Sequence, residues 1–588
     1  MKLLSNGLIA LCSALTFSLS ASPGLTSQTQ AAPIVQTAYG PVQGVNEGAL
    51  RAFFRIPYAA PPIGAHRFKP PSAPAPWNRP LAAVKFGPAC PQIYSHLELP
   101  QGSPYAEDCI TLNVWSPARA AKRPVIVFIH GGGFTQGTAR NPWYDGANLA
   151  RKGAVVVSLQ YRLGPFGWLD LSDLGPDYAR SMNNGLLDQM SALRWVRQNI
   201  AAFGGDAANV TVIGESAGAI SISALLGAPE ADGLFDRAIL ESGTPGSIAT
   251  RQWSGDVTRA FAKAAGFERP DQILKLDTAQ MLKVAKRLYE GQFSDVAFHP
   301  VVDGSLIPER PALRIASGKL PPRPVIIGTN LDEARYWYQE IDYLPRLPAS
   351  FAMPWLQSLA GKDLPAVLDA YRRDRPTLTP AEIDMAIVSD VNFRMPAVRA
   401  AEAISARGGE VYMYLATVPS IALDGAMGSP HAVELPFVFG TLAAASDFVA
   451  NDAPSRRLAD AVQDLWISFA RGQAPSAVGV QWPRYDTQHR ATLMLDSNLR
   501  VQSDPYSATR KVWKALAFDG ADPGLDRASP LQFKGTNTYA PAVILAVIGV
   551  ERLSLGCMVI AALLATTVLL FWSRSRRHRQ FQGRDTQS

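Results

Sequence analysis

At 588 residues the chain has room for one large domain or several ordinary ones. Its 47% hydrophobic and 18% charged composition is that of a globular protein with a large core and excludes a disordered or fibrous chain. The net charge of +7 forms no basic stripe interleaved with aromatics, and much of it is the terminal cluster Arg574, Arg576, Arg577 and Arg579, so no nucleic-acid partner is expected.

Residues 1–22 place Lys2 ahead of an apolar stretch from Leu8 to Leu19 and then small residues, the layout of a secretory signal. A signal and short leader are therefore expected over 1–32, followed by a catalytic domain over 33–520. From about residue 34 to 62, short apolar runs alternate with Gly-containing turns, which predicts antiparallel strands. Cys90 and Cys109 are the two cysteines of the exported body, Cys12 lying in the leader and Cys557 near the C-terminus. An even pair in an exported protein predicts a disulfide.

Further on, Val125–Ile129, Ala154–Val157, Val210–Ile213, Ala238–Leu240, Val325–Ile327 and Val411–Leu415 are short continuous apolar runs, as in strands buried on both faces of a parallel sheet. Between them lie stretches of helical period. Leu187–Phe203 is one; Leu458–Phe469 is another, with Leu458, Val462, Leu465, Trp466 and Phe469 on one face. The pattern predicts an α/β fold: a mostly parallel central sheet flanked by helices, with an N-terminal antiparallel portion. Residues 521–552 read as a linker containing the apolar run Pro541–Val550. Leu553–Trp572 is uncharged and long enough to cross ~30 Å of hydrocarbon. The basic tail 573–588 follows at once and is expected to stay cytoplasmic. The two ends describe an exported domain, periplasmic or extracellular, anchored by a C-terminal membrane helix.

The chemistry lies at the ends of the predicted strands. Gly214–Glu215–Ser216–Ala217–Gly218 follows Val210–Ile213 and opens a helix-compatible stretch, the strand–turn–helix setting of a nucleophile elbow. The turn is tight enough that the residues flanking Ser216 must be small. His130–Gly131–Gly132–Gly133–Phe134 follows Val125–Ile129, and its glycines let main-chain N–H groups approach a developing oxyanion. The N–H groups of Gly132, Gly133 and Ala217 are expected to form that hole. The two motifs together resemble those of the α/β-hydrolase fold, where the chain order is Ser, acid, His. Of the histidines after Ser216, His578 lies in the tail, His489 in a polar surface-like stretch and His299 too early to leave room for an acid. His431, in a small-residue loop after Val411–Leu415, stands where the base belongs. The strand Val325–Ile327 runs into Gly328–Thr329–Asn330–Leu331–Asp332–Glu333, and spacing alone allows either Asp332 or Glu333 as the acid.

From about residue 34 to 515 the chain resembles the type-B carboxylesterases, the family of cholinesterases and many bacterial esterases. The resemblance rests on Phe54–Arg55–Ile56–Pro57–Tyr58–Ala59, on Glu107–Asp108–Cys109–Ile110–Thr111–Leu112–Asn113–Val114–Trp115, on Tyr161–Arg162–Leu163–Gly164, on Asn199–Ile200–Ala201 through Phe203–Gly204–Gly205–Asp206, and on the elbow. It implies Glu333 as the acid and supports His431, which precedes Glu434–Leu435–Pro436–Phe437–Val438–Phe439–Gly440 as in relatives. It matches Cys90–Cys109 to the family's first disulfide and Arg67 with Glu107 to a neighbouring ion pair. It also places Val296 and Phe298 at an acyl pocket, with Tyr336 and Trp337 just past the acid. The loop between the cysteines carries Tyr94 and Tyr105 but no tryptophan to stack on a quaternary ammonium, so a dedicated choline esterase is not expected. The implied activity is hydrolysis of a small-molecule carboxylic ester through an acyl-enzyme, with neither metal nor other cofactor.

Overall fold

Each apolar run divides its side chains between two cores, which is why the runs are continuous rather than alternating. Val125, Val127 and Ile129 join one buried cluster, whereas Ile126 and Phe128 join the cluster on the opposite face. The computed structural model describes residues 31–516 except 94–102, 120, 244, 290–296, 320–322 and 339–352.

Among the described residues the central sheet has eleven strands. In chain order they are β1 (Val45–Glu47), β2 (Leu50–Pro57), β3 (Thr111–Pro117), β4 (Arg123–Ile129), β5 (Val155–Leu159) and β6 (Gly205–Glu215), then β7 (Arg237–Glu241), β8 (Val325–Asn330), β9 (Val411–Ala416), β10 (Ala491–Leu495) and β11 (Arg500–Ser503). Across the sheet the order is β1-β2-β3-β5-β4-β6-β7-β8-β9-β10-β11. Strands β1 to β3 and their junction with β5 are antiparallel. From β5 through β10 every pairing is parallel, and β11 returns antiparallel as an edge. All six predicted buried strands are present. In a separate small sheet Pro41–Gln43 is the middle strand, antiparallel to Ile34–Gln36 and parallel to Leu81–Ala82. Strand β10 was not predicted: Thr492 interrupts its apolar run, and the polar stretch Asp486–Arg490 precedes it.

The first predicted helix runs as α1 (Asn184–Asn199), tightening into a 3₁₀ turn at Ile200–Phe203. Helix α2 (Ala217–Gly227) follows β6 directly, and α3 (Ala453–Ala470) buries all five residues of its predicted apolar face. The Asp452 side chain caps α3 by accepting from the Ser455 N–H at 2.8 Å.

Three cross-links fix loops around this frame. Cys90 and Cys109 are joined as a disulfide, and beside it Arg67 clamps Glu107 at 2.6 and 2.8 Å. After β5, the Arg162 guanidinium holds both oxygens of Asp188 on α1 at 2.7 and 2.8 Å, with both side chains buried. The consequence for function is positional. The carboxyl ends of β4, β6, β7, β8 and β9 lie along one edge and deliver His130, Ser216, Ser242, Glu333 and the His431 loop to it.

The leader up to residue 30, Val296, the linker 521–552, the predicted span 553–572 and the tail 573–588 lie outside the described residues. Among the described residues no helix is long and apolar enough to cross a membrane.

Candidate active site

Ser216 sits between β6 and α2 at φ 53°, ψ −122°, a conformation that L-residues rarely adopt. Crowding by the surrounding backbone explains how it is held. A Cβ on Gly214 would lie 2.5 Å from the Gly218 carbonyl carbon, and one on Gly218 only 2.0 Å from the Ile129 carbonyl oxygen. The elbow therefore closes against the end of β4 only because both flanking residues lack a side chain. The Ser216 N–H donates to the Glu241 carbonyl at 2.8 Å, and the Ser216 carbonyl accepts from the Ile220 N–H at 2.9 Å. The serine remains partly accessible while its neighbours are buried.

The glycine loop lies against this turn. A Cβ on Gly131 would meet the Ser216 Cβ at 2.9 Å. Gly132 and Gly133 have φ of 98° and 59°, and the Gly132 carbonyl is taken up by the N–H groups of Thr135 and Gln136 at 3.1 and 3.0 Å. Both glycines are partly accessible, unlike Gly131 and Phe134 on either side. Ala217 is the first residue of α2, so no preceding turn can accept its N–H. Behind the loop His130 is fully buried, stacks on Tyr161 at 4.5 Å and touches the Gly131 carbonyl through Nδ1 at 2.9 Å. Burial pushes the His130 pKa down to about 4, so at neutral pH it supports the loop as an uncharged ring.

Opposite the elbow, His431 Nδ1 lies 2.5 Å from Glu333 Oε2, and its Nε2 faces Glu215 Oε1 at 3.0 Å. Glu333 Oε1 accepts from the Ser242 hydroxyl at 2.6 Å and the Asn330 N–H at 2.7 Å. Of the two carboxylates that spacing allowed, the one that meets the imidazole is Glu333. Asp332 points the other way, toward Arg375 and Ser429. His489 is exposed and pairs with Asp486, while His299 packs against Phe134.

Three more glutamates are buried around the imidazole: Glu215, Glu241 and Glu434. Burial acts to lower the His431 pKa, but the nearby carboxylates, Glu215 and then Glu333, outweigh it and raise it to about 9. Burial and then the charge of Glu333 push the Glu434 carboxyl up to about 7, although Asn330 Nδ2 donates to it at 2.6 Å. Burial, then Glu434, raise Glu241 well above the usual carboxylate range, against a 2.7 Å hydrogen bond from the Trp466 indole.

The aromatic residues predicted near the acid are brought to the base. Trp337, Phe393 and Tyr336 lie 4.9, 5.2 and 5.7 Å from the His431 ring. Phe298 instead packs edge-on against Tyr289 in the core. Phe393, Ser242, Asn330 and Glu434 were missed by sequence reading. Ser242 and Asn330 carried a usable signal, since each sits at the carboxyl end of a sheet strand. Phe393 projects from a π-helical turn, Asp390–Arg394, that no apolar period announces.

Comparison with known proteins gives the family. The sequence profile of the Carboxylesterase family matches residues 31–513. The chain is 39% identical over 502 residues to the para-nitrobenzyl esterase of Bacillus subtilis (strain 168), covering 81% of this chain and 98% of that protein. It is 32% identical over 494 residues to the phenmedipham hydrolase of Pseudarthrobacter oxydans, covering 80% and 97%. Among solved structures, a carboxylesterase of Geobacillus stearothermophilus superposes with a TM-score of 0.74 at 34% identity, over 82% of this chain and 99% of that one. The chain therefore belongs to the carboxylesterase family, and it is an α/β-hydrolase that cleaves carboxylic esters to acid and alcohol.

Proposed function

We propose that Ser216 is the nucleophile of this esterase, His431 its general base and Glu333 the acid that orients the imidazole. The observation that carries the assignment is the buried 2.5 Å contact between His431 Nδ1 and Glu333 Oε2, with Nε2 turned toward the elbow that presents Ser216. His431 takes the serine proton as Ser216 Oγ attacks the ester carbonyl. The N–H groups of Gly132, Gly133 and Ala217 receive the oxyanion of the tetrahedral intermediate. The alcohol leaves with the proton held by His431, and water repeats the sequence on the acyl-enzyme. Tyr336 and Trp337 flank the substrate beside the imidazole, and they shield His431 from bulk water. Ser216→Ala is expected to reduce hydrolysis of short p-nitrophenyl esters by at least about 10³-fold, measured as kcat/KM. Substantial turnover by that variant would overturn the assignment.

The carboxylates around the base set a pH dependence. The imidazole must be neutral to accept the serine proton, so kcat/KM for an uncharged ester should climb with pH and reach half its plateau near about 9. Glu215 is the strongest of the groups that raise this value. Glu215→Gln removes an anion that favours the imidazolium, so the rise should move to lower pH. An unchanged profile in that variant would show that Glu215 does not set the base.

We also propose that the domain is exported and tethered by its C-terminus. The support is sequence alone: the signal-like residues 1–22, and the uncharged Leu553–Trp572 followed by arginines. Ending the chain at residue 520 should release active enzyme into the soluble fraction of the exporting compartment. Retention of that shortened enzyme in the membrane fraction would refute the tether.

A further inference from the structure

Asp332 neighbours the acid but does not touch the base, and its two oxygens are committed elsewhere. Oδ2 accepts from the Ser429 N–H at 3.0 Å, while the Asp332 N–H donates to the Ser429 carbonyl at 2.8 Å. This two-way bridge joins the residue before Glu333 to the residue two before His431. Gly428, at φ 61°, completes the fit: a Cβ there would lie 2.4 Å from Asp332 Oδ2, so the carboxylate occupies the space that a side chain would need. Oδ1 accepts from Arg375 Nη2 at 2.7 Å and lies 3.5 Å from Arg335 Nε. Arg335 in turn donates to the Ala426 carbonyl at 2.8 Å, farther back in the loop that carries His431. By contrast, the direct backbone link between the two catalytic positions, His431 N–H to the Glu333 carbonyl, is 3.4 Å long.

We propose that Asp332 is a positioning residue that clips the His431 loop to the Glu333 loop, and that Arg375 holds the clip in place. The proposal rests on the triad assignment above. Asp332 contributes no proton and meets no substrate. It fixes the distance over which Glu333 can orient the imidazole, while Arg375 and Arg335 satisfy the buried charge that this requires. Arg375 comes from the end of the helix Leu364–Asp374, outside the sheet, so helical packing above the site sets the register of the catalytic loops.

The test is steady-state kinetics on p-nitrophenyl butyrate with Asp332→Asn, Arg375→Ala, Arg375→Lys and the Asp332→Asn/Arg375→Ala double variant, each first checked for folding by thermal unfolding. A misplaced base costs turnover rather than binding. Asp332→Asn should therefore lower kcat about 10- to 100-fold, with KM within about twofold of the parent. Arg375→Ala should act in the same direction and Arg375→Lys should recover most of the loss. The double variant should lose less than the product of the single losses, because both residues serve one clip. A folded Asp332→Asn enzyme with kcat within about twofold of the parent, a loss confined to KM, or multiplicative losses would overturn the proposal. If Asp332→Asn does not fold, the two Arg375 variants decide it by the same split of kcat from KM and by rescue with lysine. Ser216→Ala, run alongside, separates the two readings. Activity surviving in that variant would defeat the triad assignment, whereas a Ser216-dependent enzyme indifferent to Asp332 and Arg375 would defeat the clip alone.

Discussion

Burying a carboxylate is expensive unless donors replace the water it loses, and the site is organised around that requirement at Glu333. Its oxygens are met by the Ser242 hydroxyl, the Asn330 N–H and His431 Nδ1, which come from the ends of β7, β8 and β9. Three strands must therefore stay in register for one side chain to be satisfied. The same constraint explains why the imidazole cannot wander, since moving it away would leave a buried anion short of a donor. Around it the negative charge is limited through Glu241 and Glu434, both pushed toward the protonated form by burial and by neighbouring carboxylates. A pocket with four glutamates need not carry four charges.

The proposed nucleophile is held by a different kind of constraint. Ser216 occupies a costly backbone conformation, of order 1–3 kcal/mol, that the surrounding contacts must offset. The offset comes from close packing of main chain on main chain: β4 against Gly218, and Gly131 against Ser216. Because the glycine loop and the elbow fill each other's missing side-chain space, the amides of the first and the hydroxyl of the second are placed together. Polar satisfaction fixes the proposed base and acid, and steric exclusion fixes the proposed nucleophile and its amides. The strand ends of one parallel sheet bring the two halves face to face.

Much of this was legible in the residues themselves. Strands buried on both faces announced themselves as unbroken apolar runs such as Val125–Ile129, and the elbow and glycine loop had local steric signatures. His431 could be reached by excluding three other histidines. The acid could not be read from spacing, because Asp332 and Glu333 are adjacent carboxylates on one loop. Only the direction of each side chain separates them, and that depends on Ser429, Arg375 and Ser242 arriving from distant parts of the chain. Phe393 was invisible for a similar reason: its placement beside His431 follows from a π turn braced by the buried Asp390–Arg394 pair. Strand β10 was hidden because Thr492 breaks its apolar run. What escaped the sequence was mostly long-range convergence, together with two short elements, the π turn and β10.

The helices outside the sheet belong to the same account. Asp374 accepts from the N–H groups of Ala508 and Thr509 at the start of the helix Ser507–Ala515, and the next residue is Arg375, which reaches Asp332. The last described helix is thus linked to the catalytic loops through two consecutive side chains. The most direct test of the central claim is covalent trapping: the enzyme is treated with a phosphorylating organophosphate, and peptide mass spectrometry locates the adduct while stopped samples give its rate. The account predicts a single adduct on Ser216, formed at least about 10²-fold more slowly when Glu333 is replaced by glutamine. An adduct on another residue, or a labelling rate indifferent to Glu333, would contradict it.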